Sequence, residues 1–380
     1  MIFFLPKYTD VCDTTPTINK TLMSYLTGIK TEIDNRQDDW DRFKKYTNPY
    51  EYIHTCVPNT NQSVSKLKPL SRSYYKMLEL CGLLDLVSVL PANCRTFHIA
   101  EGPGGFIEAI CALRKNPDDE YVGITLIDDN NYSVPGWKKS QKFLERNPNV
   151  YIETGETQTG DIMSPDNLRY CFDVYRESVD LVTADGGFDF SIDFNHQESV
   201  SSKLIFSQIA FAAAVQKDGG NFVIKFFDTF TQVSLDMIYL LSLLYEEVYF
   251  VKPTTSRYAN SEKYLVCKRF RTPHDRVALI DSFIRVFETF SQGDILSNLL
   301  TIQIPYMFSC KVQEFNAIFG QQQIETISTT LNLIDNNKFE RLEALKKTNI
   351  QKCVAWCQKY DVPFNKSITN SNIFLPAKNV

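Results

Sequence analysis

The chain has 380 residues, 43% hydrophobic and 22% charged, with a formal charge of −5. That length allows a catalytic domain plus an added module, and the balance is that of a globular protein with no apolar run long enough to cross a bilayer, so no membrane partner is expected. The net acidity argues against a protein that coats nucleic acid through bulk charge.

The opening MIFFLPKYTD lacks a basic leader and soon reaches Pro6 and Asp10, which points to a cytosolic or nuclear site. Residues 1–70 are polar and irregular, an N-terminal extension with some helix around 18–46. From Tyr52 to Leu78 there is no Asp or Glu, yet Lys66, Lys68, Arg72 and Lys76 are present. Such a stretch can meet phosphates, or it can be a solvated loop. SRSYYKMLELCGLLDLVSVL (71–90) has apolar residues at helical spacing, with Ser71 or Ser73 placed to cap it.

Alternation follows. TFHIA (96–100) reads as a buried strand, FIEAICALRK as a helix, and YVGITLI (121–127), VYIETG (150–155) and VDLVTAD (179–185) as strands. A long helix covers 197–217, NFVIKFF (221–227) is a strand, 231–244 a helix, and EEVYFVKP and KYLVCKRF the last two strands. The expected fold is α/β, a Rossmann-like, doubly wound and mainly parallel sheet with its ligand beyond the carboxyl ends of the strands. After about residue 274 strand signals fade, and 275–362 reads as helical, with amphipathic stretches such as 325–348. The organisation expected is 1–70 extension, 71–273 catalytic domain and 274–380 helical C-terminal module.

Ten cysteines are scattered along the chain, with Cys81, Cys111 and Cys267 in apolar stretches, and are read as reduced thiols. Cys353 and Cys357 are four apart with no second Cys/His pair nearby, so no metal site is expected.

Two constellations carry chemistry. Glu101-Gly102-Pro103-Gly104-Gly105-Phe106 joins a strand to a helix. Its glycines permit a sharp turn against a ligand, and the following helix N-terminus offers amides to an anion. Pro103 breaks the dinucleotide fingerprint G-x-G-x-x-G and stiffens the loop, which suits a small ligand without a pyrophosphate. A tight turn with no ligand also fits. The second constellation is Lys76, Asp185, Lys225 and Glu262. Asp185 ends a strand before Gly186 and Gly187, Lys225 interrupts an apolar strand and must be buried or face a cleft, and Glu262 precedes KYLVCKRF. A desolvated lysine beside a second cation can act as a base, and two acids would fix both ammonium groups. A buried structural salt-bridge cluster is the competing reading.

In order, SRSYYK (71–76), EGPGGF (101–106), TADGGFD (183–189), GGNFVIKFF (219–227) and SRYANSEKYLV (256–266) resemble the FtsJ-like RNA 2′-O-methyltransferases, over roughly 70–270. The closer likeness is to the cap-specific branch of eukaryotes and large DNA viruses. The resemblance implies a class I methyltransferase sheet, S-adenosylmethionine as cofactor and RNA, as 5′-capped mRNA, as partner, in company with other capping enzymes. For a viral member the place would be the host cytoplasm. It implies a catalytic tetrad Lys76, Asp185, Lys225 and Glu262, with Lys225 activating the ribose 2′-OH. It also implies cofactor contacts from Gly102, Pro103, Gly104, Gly105, Phe106 and Asp185, with Asp161 facing the adenine amine. For the cofactor ribose, Asp128 and Asp129 both fit.

Arg72 and Arg257 stand beside these motifs as phosphate contacts, and His196 lies on the acceptor side as an RNA contact. His98 reads as a packed core residue. Tyr74, Tyr75, Trp137 and Tyr258 suit either stacking on bases or ordinary packing. Two rivals stay open: a ribosomal or transfer RNA methyltransferase, and a non-catalytic RNA-binding scaffold. A nicotinamide-dependent dehydrogenase lacks its fingerprint.

Overall fold

The computed structural model describes residues 4–10, 14–128, 130–131, 134–187, 195–291 and 293–366. Asp129, and the end of the TADGGFD motif, lie outside the described residues. In chain order the elements are β1 (Phe4–Thr9), α1 (Lys20–Asp34), α2 (Gln37–Thr47), α3 (Ser73–Leu84), β2 (Arg95–Ile99), α4 (Gly105–Arg114), β3 (Glu120–Ile124), α5 (Gln141–Arg146), β4 (Val150–Glu153), α6 (Pro165–Tyr175) and β5 (Val179–Ala184). There follow α7 (Gln197–Val200), α8 (Ser202–Val215), β6 (Gln216–Phe226), α9 (Gln232–Leu244), β7 (Tyr245–Val251), β8 (Lys263–Phe270), α10 (Arg276–Phe287), β9 (Ile295–Leu300), α11 (Tyr306–Asp335) and α12 (Phe339–Lys359).

Two compact units share the chain. The first draws on Met1–Gly28, Leu70–Ser256 and Ser261–Gln321, the second on Ile29–Pro69, Arg257–Asn260 and Gln322–Val380.

The first unit holds a seven-stranded sheet in the order β4-β3-β2-β5-β6-β8-β7. β4 to β6 run parallel, and β8 is antiparallel to both β6 and β7. Parallel strands with helices on both faces are buried on both sides, and β5 is buried at all six positions. Helices α8 and α9 are apolar almost all round because each lies inside the core. The chain winds outward from β2 in one direction and through β5 in the other, so a crevice opens between the carboxyl ends of β2 and β5. A second, two-stranded sheet pairs β1 with β9.

The second unit packs Ile33, Trp40 and Ile327 in one cluster and Phe43, Leu333 and Leu342 in another. Arg257 is bidentate to the fully buried Glu51, at 3.0 and 2.7 Å. Among the described residues no helix is long and apolar enough to cross a membrane.

Several expectations are corrected. No serine side chain caps α3: Arg72 takes the cap position, and Ser71 and Ser73 bond each other. The strand expected to 127 ends at Ile124, and the helix expected over 197–217 breaks at Ser201. The 325–348 stretch is two helices parted at residues 336–338. The fading of strand signals after 274 conceals β9, whose partner is nearly 300 residues away. Helices α5 and α6 complete the alternation; Ser164 caps α6 by accepting from Asn167 N, with Pro165 at the first helical position.

Candidate active site

Lys76, Asp185, Lys225 and Glu262 come together in the first unit at the carboxyl ends of β5 and β6. α3 presents Lys76, 5% exposed, to Glu262 just before β8, with Nζ 2.7 Å from Oε1. Lys225 projects from β6, its Nζ 2.7 Å from the Asp185 carbonyl and 3.3 Å from Asp185 Oδ1. The cluster is therefore two ion pairs.

Tyr264 joins them. Its hydroxyl donates to Asp185 Oδ1 at 2.8 Å and accepts from Lys76 Nζ at 3.4 Å. In the antiparallel ladder it stands directly opposite Lys225. Tyr264 is not among the residues expected at the site from the sequence, though a signal for it is present there. Tyr264 lies two residues after Glu262, the spacing at which side chains of an extended chain point the same way. Ser256 adds a hydroxyl bond to Glu262 Oε1 at 2.8 Å.

The electrostatics follow from crowding. Burial would raise the Glu262 carboxyl, but Lys76, Lys225 and Arg72 hold it well below the usual carboxylate range. Burial lowers the Lys76 ammonium, against the pull of Glu262 and Asp185, with Arg72 and Lys225 adding repulsion. Burial, then the charges of Asp185 and Glu262, push the Tyr264 phenol far up, so it stays a neutral donor. Arg72, half-buried, thus belongs to the field of this cluster.

The glycine turn closes the other side of the crevice. Gly104 has φ +103°, a conformation that L side chains rarely adopt. A Cβ on Gly102 would strike the Gly136 carbonyl, and one on Gly105 the hydroxyls of Ser71 and Ser73. These two glycines therefore serve packing by the protein itself. Ser140 Oγ clasps the turn by donating to the Pro103 carbonyl at 2.5 Å.

One expectation about this turn fails. Two of the first amides of α4 are taken by the chain itself, because Glu101, 3% exposed, accepts from Phe106 N at 2.5 Å and Ile107 N at 3.3 Å. Burial pushes the Glu101 carboxyl well above its ordinary value, with those amides pulling it down. Phe106 itself is fully buried, its ring 5.9 Å from that of Tyr264.

The acids expected at the cofactor lie at strand ends. Asp161 follows β4, accepts from Met163 N at 2.9 Å, and comes after Gly160, whose φ of +63° lets the chain run against Thr125. Ile127 N donates to Thr159 O at 2.8 Å, so this loop and the end of β3 are joined. Asp128 is half-buried there and accepts from Asn130 N at 3.0 Å. The sheet order thus places Asp128 and Asp161 to one side of the crevice and Asp185 to the other.

Of the proposed RNA contacts, His196 is half-buried at the cap position of α7, while Arg257 belongs to the second unit and is engaged with Glu51. Tyr258 is half-buried in the second unit too. His98 is fully buried between the hydroxyls of Thr96 and Thr183, at 2.8 and 2.7 Å, and burial takes it down to about 3, as a core residue should be. Tyr74 and Tyr75 are buried edge-to-face against each other, which favours packing over base stacking. Trp137 lies half-buried against Gly104 and Gly123. Cys353 and Cys357 are buried thiols.

Comparison with known proteins adds a family. The model of the FtsJ-like methyltransferases matches residues 69–270, more than half the chain. The chain is 38% identical over 251 residues to cap-specific mRNA (nucleoside-2′-O-)-methyltransferase 1 of Mus musculus, and 34% to that of Ailuropoda melanoleuca, in each case 63% of this chain and 29% of that protein. It is also 33% identical over 186 residues to inactive cap-specific mRNA (nucleoside-2′-O-)-methyltransferase 1B of Caenorhabditis briggsae, 47% of this chain and 21% of that one. The chain thus spans under a third of the length of these curated relatives.

Proposed function

The chain belongs to the FtsJ-like methyltransferase family, and from that premise we propose that it methylates the ribose 2′-oxygen of 5′-capped mRNA, with S-adenosylmethionine as methyl donor. The observation that carries this reading is the joining of Lys76–Glu262 and Lys225–Asp185 through Tyr264 at the carboxyl end of the sheet.

The donor set suits this cofactor. Asp128, Asp161 and Asp185 at strand ends complement ribose hydroxyls, an adenine amine and a cationic methionine end, while Gly102, Pro103 and Gly104 form the turn between them. A pyrophosphate is poorly served, since Glu101 occupies two of the α4 amides that would bind it. When bound, S-adenosylmethionine supplies an electrophilic methyl on a sulfonium.

The remaining chemistry belongs to the chain. Lys225, oriented by its bonds to the carbonyl and carboxylate of Asp185, is the group that takes the proton of the 2′-OH. Asp185 orients that lysine and is itself held by Tyr264. Lys76, fixed by Glu262, presents positive charge where oxyanion character grows on the ribose. The half-buried setting excludes much of the competing water.

A scaffold without catalysis is the second reading, and the similarity to an inactive relative favours it. Against it, all four tetrad positions are filled and paired here. Short capped and uncapped RNAs, incubated with labelled S-adenosylmethionine and mapped for product, decide the matter. Methyl on the 2′-oxygen of capped RNA alone is expected. Transfer to uncapped RNA alone would indicate a structural-RNA enzyme, and tight binding without transfer a scaffold.

A further inference from the structure

The β7–β8 connection ends at Glu262, and several bonds hold it toward the site. Glu79, one turn beyond Lys76 on α3 and 2% exposed, accepts from the amides of Thr254 and Thr255 at 2.7 and 3.1 Å and from the Thr255 hydroxyl at 3.0 Å. Ser256 binds the Glu262 carboxylate. The neck of the connection is closed by Lys252, whose Nζ donates to the Glu262 backbone carbonyl at 2.6 Å. Lys252 directly follows Val251, the ladder partner of Tyr264, so it stands across from the start of β8.

A neutral side chain could close that neck. A lysine there is costly: burial disfavours its charge, Glu262 and Asp228 support it, and Lys263 and Lys76 repel it, a balance that brings it down to about 7. No step of the mechanism above uses this residue.

Resting on the reading that this site methylates a ribose 2′-oxygen, we propose that Lys252 is a positioning residue for that reaction: it holds Glu262 by its carbonyl, and through Glu262 it fixes where the Lys76 ammonium stands. The ammonium form makes a charge-assisted bond to the carbonyl, and the amine a weaker one. The hold is therefore firmest on the acid side and relaxes as pH rises through about 7.

The test uses the full chain carrying Lys252→Met, with turnover on capped RNA followed across pH and a crystal structure of the variant. The 2.7 Å Lys76–Glu262 pair should open. Turnover should fall about ten- to a hundredfold, the cost of misplacing a catalytic group by an ångström or less, with KM for S-adenosylmethionine unchanged. The inflection near pH 7 in the parent profile should vanish. Lys252→Gln keeps a donor without the charge and should also lose that inflection, which covers a methionine variant that fails to fold. An intact Lys76–Glu262 pair with a profile parallel to the parent's overturns the proposal. A parent chain that transfers no methyl defeats the functional reading instead, and the pair distance in the variant crystal still decides the role of Lys252.

Discussion

At the amino ends of β2 and β3, Asp119 is 2% exposed and densely bonded. Arg114 grips both its oxygens at 2.7 and 2.8 Å, Cys94 N and Asn116 Nδ2 each add a bond at 3.0 Å, and the Tyr121 hydroxyl adds one at 3.1 Å. Arg114 then reaches the Pro91 carbonyl at 2.7 Å. At the carboxyl end of the same sheet, Lys76, Lys225 and Arg72 crowd against one another, and the side chains of Lys225, Asp185 and Glu262 keep 12, 13 and 12% of their exposure. Burial and ion pairing are common to both clusters and mark neither as a site. Like charges held together, and partly open, are what the fold does not need and a reaction does.

Truncation should separate the two clusters most widely. Lys225→Ala should slow single-turnover methyl transfer by about 10²–10⁴-fold, with cofactor binding and the melting temperature close to the parent's. Asp119→Ala should do the opposite, lowering stability in denaturant titrations by about 3 kcal/mol because it strands a half-buried guanidinium together with the Cys94 and Asn116 donors, while transfer per folded molecule holds. A Lys225→Ala chain that melts early, or an Asp119→Ala chain that folds but transfers slowly, would erase the distinction.

The parallel strands were legible because each is a largely apolar run bounded by turn residues, and Lys225 stood out as a cation inside the apolar stretch NFVIKFF. β1 and β9 were not, since their pairing spans most of the chain and Pro6 weakens the strand signal in β1. The four residues that the fold brings together were named from their place in the motifs, whereas Tyr264 was not, because a tyrosine in an apolar strand has packing as its default explanation. The role of Glu101 was hidden for another reason. Whether a helix N-terminus is free depends on which way one side chain folds back, and spacing alone does not carry that.

Acid should act on the site through Glu262. Its folded-state carboxyl lies below the ordinary 4.5, so the folded chain binds fewer protons than the unfolded one at and below that pH. The stabilisation it provides is complete above about pH 4.5 and drains away as pH falls. Glu262→Gln should therefore cost about 2 kcal/mol at neutral pH, from the buried Lys76 left without its carboxylate, and the gap between parent and variant should narrow steadily below pH 4.5. Melts at a series of pH values measure this, and a gap that widens in acid contradicts the ion pair.

The smallest expected effect falls on the link between the two pairs. Tyr264→Phe removes one hydroxyl and leaves the ring against Phe106 and Lys76 in place. A hydrogen bond of this kind is worth about 1 kcal/mol, so kcat should fall roughly fivefold if the bond is formed mainly in the transition state, with KM for RNA and donor unchanged. The phenol is a donor to Asp185 at every accessible pH, so the loss should not depend on pH between neutral and mildly alkaline conditions. Unchanged kcat would mean that the Lys225–Asp185 pair is held without the tyrosine and that the two pairs act independently. A fall that grows with pH would mean that the hydroxyl instead serves Lys76, whose charge is the one that burial has already weakened.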